Sequence, residues 1–111
     1  MGVLINSMFS KSGDIISKGF DLQKNTVTGL AEFSLSHIID LNKDYSHLLA
    51  ATSCPDSIAP SLGQCLNQSF HPSLSNLHTI DMVQGCAGGV SALILASQLA
   101  EFNKSHVLVV A

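Results

Sequence analysis

The sequence predicts an α/β fold with a mostly parallel sheet. Three observations point there. From Asn25 to Ala111, segments of helical period alternate with short apolar runs in the order helix, strand, helix, strand, helix, strand. The short runs, residues 47–52, 77–83 and 105–111, are almost wholly apolar, as suits strands buried on both faces. A glycine-rich turn around Cys86 joins the second of these strands to the longest helix. In parallel sheets, reactive groups collect at such carboxyl ends of strands.

Taken in order, residues 1–24 are a poorly defined N-terminal segment. Val3-Leu4-Ile5 has the composition of a short strand, residues 10–13 that of a loop, and residues 14–18 that of a helix start. The segment lacks the basic start and apolar core of a signal peptide. Residues 25–111 are the folded unit. Over residues 25–41, Val27, Leu30, Ala31, Leu35, Ile38 and Ile39 recur at three- and four-residue steps and make one apolar face. Asn25 or Thr26 supplies the N-cap, and Glu32 and His37 lie away from the apolar stripe. Asn42-Lys43-Asp44 is a turn. After the strand at 47–52, Ser53-Cys54-Pro55-Asp56-Ser57 breaks the chain. Pro60 and Ser61 then open a second helix, to about Ser69.

Residues 71–76 are a loop. The strand at 77–83 carries one polar exception, Asp81, which needs partners if buried and is expected to bond the backbone of the following turn. The helix at 88–102 is apolar almost all round. Such a helix is a buried one and needs cover on both sides. Asn103-Lys104 ends it. The final apolar run, residues 105–111, is expected to belong to a sheet that continues in a larger fold.

Composition supports that expectation. Charged residues make up 12% of the 111, about half the share of an ordinary soluble domain, which is too little to cover a free surface. Net charge is −3 and arginine is absent, which argues against a nucleic-acid face and removes the bidentate phosphate clamp. Cys54, Cys65 and Cys86 have neither disulfide-framework nor zinc-site spacing. Reduced thiols suit a cytoplasmic protein. No short paired spacing joins His71 and His78 to a metal site. Residues 82–100 carry no formal charge and reach membrane-spanning length. Gln84, Ser91, Ser97 and Gln98 among them favour a strand, a turn and a helix in a protein with no membrane partner.

Cys86 is the candidate nucleophile. The glycines beside it allow a turn with positive φ and close approach of a substrate. The helix that follows points its first N–H groups back towards the sulfur, favouring a thiolate and a carbonyl oxygen gaining charge. The competing reading makes Cys86 a small core hydrophobe. A cysteine hydrolase would need a histidine base within reach, and no motif places one.

Four blocks carry a resemblance. They are Ala50-Ala51-Thr52-Ser53-Cys54-Pro55-Asp56; Ala59-Pro60-Ser61; Ile80-Asp81-Met82-Val83-Gln84-Gly85-Cys86-Ala87-Gly88-Gly89 with Ala92-Leu93; and Val107-Leu108-Val109-Val110-Ala111. In order and spacing they resemble the 3-oxoacyl-acyl-carrier-protein synthase III branch of the thiolase superfamily. The likeness covers residues 25–111, part of the N-terminal half of that family's fold. It implies a partial thiolase-like αβαβα fold, with the helix after the cysteine lying between two sheets. It implies a homodimer, or pairing with a second thiolase-like chain.

Cys86 matches the cysteine that accepts an acyl group from coenzyme A or carrier protein. Decarboxylative Claisen condensation with a malonyl thioester follows, in fatty acid or polyketide synthesis. Gly85 and Gly88 match the glycine frame of that turn. Gly89 stands where relatives carry a bulky aromatic residue, and Ile58 lies in a loop matching one near the acyl pocket and dimer interface. Acyl-coenzyme A and malonyl carrier protein are the implied substrates, acyl carrier protein the implied partner, and no cofactor is held permanently. The family's histidine and asparagine come from its other half and have no match here, nor do the Arg and Trp residues that grip coenzyme A. The alternative is a non-catalytic thiolase-fold subunit that supports a second chain.

Overall fold

The structure, a computed structural model, describes Ile5, Met8 and residues 26–74 and 77–111. The elements expected within residues 1–24 therefore lie, Ile5 apart, outside the described residues, as does the end of the loop expected at 71–76. The described chain runs α1 (Val27–Ser36), β1 (Tyr45–Ala51), α2 (Leu62–Ser69), β2 (His78–Met82), a 3-10 turn (Gly85–Ala87), α3 (Gly88–Asn103) and β3 (His106–Val110). The three strands form one parallel sheet in the order β2-β1-β3. The α/β class and the parallel sheet are as the sequence predicts.

Central β1 explains how the layers form. Its residues Leu48, Leu49, Ala50 and Ala51 are all buried, and successive side chains go to opposite faces. Leu48 and Ala50 join Ala31 and Leu35 of α1, Leu62 and Leu66 of α2, and Leu108 of β3. Leu49 and Ala51 meet Ala92 and Ala96 of α3. Helices thus cover both faces. The connection from β1 to β2 moves one way along the sheet, and that from β2 to β3 moves back past β1. Crossovers of one hand that move in opposite directions lie on opposite faces, which is where α2 and α3 are.

Two expectations of burial are corrected. β2 is an edge strand, with His78 and Asp81 exposed, so it is not buried on both faces. The helix after the cysteine is covered on one side only: Gly88, Ala92 and Ala96 are buried, while Val90, Leu93 and Ile94 are more than half exposed. Among the described residues only one layer, the sheet, lies against α3. The turn and α3 together, Gly85–Asn103, are long and apolar enough to cross a membrane by length and composition.

Thr26 is the N-cap of α1, its Oγ1 accepting from Gly29 N–H at 3.0 Å. The helix stops at Ser36, short of the expected Leu41. Ser36 Oγ bonds Phe33 O at 2.6 Å, and His37 Nδ1 lies 2.7 Å from the same oxygen. Polar side chains that take helix carbonyls in this way compete with the next turn. Ile38 and Ile39 nonetheless pack on the core, which is why the apolar period runs past the helix end. α2 starts with a reciprocal capping box between Ser61 and Gln64. Lys104, in the left-handed region, closes α3.

Candidate functional site

Cys86 sits in the 3-10 turn between β2 and α3 and is exposed. Gly85 makes the turn: its φ is +60°, a region that residues with a Cβ rarely enter. Gly88 N–H donates to Gly85 O and closes the turn. Gly88 itself is helical, with φ −59°. A Cβ on Gly88 would meet Ala51 Cβ at 3.6 Å, and one on Gly89 would meet Ala111 Cβ at 3.4 Å. Both are ordinary contacts, so the conformational demand falls on Gly85.

An open depression of about 300 Å³ surrounds the thiol. The carboxyl ends of all three strands border it: Ala51, Thr52 and Ser53 after β1, Gly85 and Cys86 after β2, and Ala111 after β3, with Gly89 at its edge. The chain leaves β1 towards α2 on one face and leaves β2 towards α3 on the other. The crevice between two such strands is the topological switch point, where open parallel sheets bind ligands. Thr52 and Ser53 belong to no catalytic motif in the sequence; their place after a strand's carboxyl end is the signal that they border the site.

A second groove of about 270 Å³ lies under α1, lined by Val27, Leu30, Ala31, Ser34, Leu35 and Leu62 among others. It shares Ala51, Thr52 and Ala111 with the Cys86 depression. The two therefore adjoin. Ile58, in the β1–α2 loop, is 92% exposed and borders neither. α1 and α2 have side-chain caps, whereas α3 starts at Ala87 with none. The first amide of α3, Gly88 N–H, is taken by Gly85 O of the turn that carries Cys86.

The other cysteines have different settings. Cys54 is exposed, its N–H donating to Thr52 Oγ1 at 3.1 Å. Cys65 is partly buried, its Sγ 3.9 Å from Pro60 O. All five histidines lie away from Cys86. His37 caps the end of α1, His71 follows α2, His47 lies in the first half of β1, and His78 and His106 open β2 and β3. None borders the depression.

Asp81 is a structural acceptor, but its partners differ from those expected. Its Oδ1 accepts from Gly63 N–H at 2.8 Å and its Oδ2 from Ser61 O–H at 2.7 Å. It therefore secures the start of α2 rather than the turn after β2. Asp56 plays a matching part for α1, accepting from Thr28 N–H at 2.8 Å and Val27 N–H at 3.2 Å. The Thr28 bond above all holds the Asp56 carboxyl below its ordinary range. Burial, and then the neighbouring His78, lower the His47 pKa.

Comparison of the chain with protein-family models and with curated proteins finds no match. What stands is a parallel α/β sheet that presents one exposed cysteine, on a left-handed glycine turn, at its switch-point crevice.

Proposed function

We propose that the chain is part of a condensing enzyme similar to the 3-oxoacyl-acyl-carrier-protein synthase III family, with Cys86 as acyl acceptor. The observation that carries the reading is the position of Cys86: exposed, on the Gly85 turn, at the switch point and before an uncapped helix. The adjoining groove, lined mostly by aliphatic residues, supports it by offering room for an acyl chain. In the proposed reaction the Cys86 thiolate attacks the carbonyl carbon of an acyl thioester. The oxygen gains charge, and the Cys86 N–H stabilises it. The bond from carbon to the leaving sulfur breaks, and the coenzyme A or carrier thiol departs with a proton. A malonyl thioester then loses carbon dioxide, and its enolate carbon attacks the acyl group and frees Cys86.

The second half of that sequence needs donors or a base at the enolate. No histidine of this chain borders Cys86, so we expect these residues alone to accept an acyl group and not to condense it. A cytoplasmic homodimer using acyl carrier protein belongs to the same proposal. The exposed apolar face of α3 favours the second reading, a non-catalytic thiolase-fold subunit covered by another chain.

The test is incubation of the chain with acyl-coenzyme A and malonyl carrier protein. Expected are an acyl mass gain that disappears in Cys86→Ser and no 3-oxoacyl product. Carbon–carbon bond formation would refute the division of labour, and absence of any acyl adduct would favour the supporting-subunit reading.

A further inference from the structure

We propose that His47 and His78 form a two-imidazole site for a divalent metal ion of the zinc class, at the amino-terminal end of the sheet. The pair owes nothing to sequence spacing. Strand register makes it: His47 of β1 and His78 of β2 are direct partners. Both side chains belong to the α3 face, His47 alternating with Leu49 and Ala51, and His78 with Ile80 and Met82. Their ring centroids are 5.3 Å apart, with 24° between the planes. Two imidazoles bound to one tetrahedral ion through nitrogens about 2.0–2.1 Å away hold their centroids about 5 Å apart. The rings are stacked, at a separation that a chelating pair also has.

The surroundings fit a ligand role. His47 Nδ1 lies 2.8 Å from Ser46 Oγ, which Ser105 Oγ also contacts at 2.7 Å. In the tautomer whose Nδ1–H donates to Ser46, the Nε2 lone pair is left for the metal, the usual outer-shell arrangement of a ligating histidine. His78 is exposed, so its ring is open to an ion from solvent. No third His, Cys, Asp or Glu joins them among the described residues; water completes the coordination. The site lies at the opposite end of the sheet from Cys86 and is independent of the acyl-transfer reading.

An ion here clips β1 to β2 and binds only the folded chain, so it raises the unfolding temperature. The test is titration of the chain with zinc chloride, followed by NMR of the histidine rings and by thermal unfolding. We expect the His47 and His78 ring signals to move together while those of His37, His71 and His106 stay. We expect His78→Ala to weaken zinc binding roughly tenfold or more, through loss of the chelate, with the metal-free unfolding temperature unchanged. Movement of neither ring or of one alone, zinc held through the cysteine thiols instead, or equal affinity in His78→Ala would each overturn the proposal.

Discussion

At the scale of single residues, one carboxylate ties β2 to α2. Asp81 takes the Gly63 N–H and the Ser61 O–H, and it does so where Gly63 has no side chain. A Cβ on Gly63 would fall 2.9 Å from Asp81 Oδ2, closer than real Cβ atoms approach. Asp81→Ala should therefore cost about 1–2 kcal/mol, the cost of a lost N-cap. Gly63→Ala should also destabilise, because its Cβ displaces the carboxylate. Urea unfolding midpoints read both, and an unchanged midpoint for Asp81→Ala would remove the cap from the account of α2. Asp81 was legible in the sequence as an acceptor needing partners. Its partners were not, because they depend on α2 starting beside the carboxyl end of β2. Gly85 was legible as a turn glycine, and its φ of +60° agrees.

At the scale of elements, α1 is anchored from a distance. Asp56, in the loop after β1, accepts from the first amides of α1. Its folded pKa lies below the ordinary carboxylate value. The unfolded chain thus takes up the proton first, and stability rises with pH across that window. The contribution is fully present above about pH 4 and is lost as pH falls through the folded value. Asp56→Asn should lower stability at neutral pH, and the gap to wild type should narrow below about pH 4. Unfolding curves recorded from neutral pH downward check this; a pH-independent gap would contradict it. Apolar period located α1 but overran its end, since Ile38 and Ile39 pack on the core from outside the helix. The same period in α3 signalled burial on all sides, yet period and composition carry no information about which neighbours are present.

At the scale of the whole molecule, the two cores meet across β1. Leu48 and Leu49 are 1% and 0% exposed and face opposite helix layers. Truncation of Leu49 to Ala should cost about 2–5 kcal/mol, measurable by chemical unfolding. Substitution of exposed Ile94 by Glu should change stability far less. The layer order was legible from the alternation of helices and apolar runs. The strand order was not, and with it went the exposure of β2 and the meeting of His47 with His78. The central claim is that Cys86 is set apart by its place and not by exposure alone. Cys54 is exposed too and serves as the internal control. The direct measurement is peptide mapping after reaction of the folded chain with an acyl thioester. Acylation confined to the peptide bearing Cys86 is the predicted result; equal labelling of Cys54 and Cys86 would contradict it.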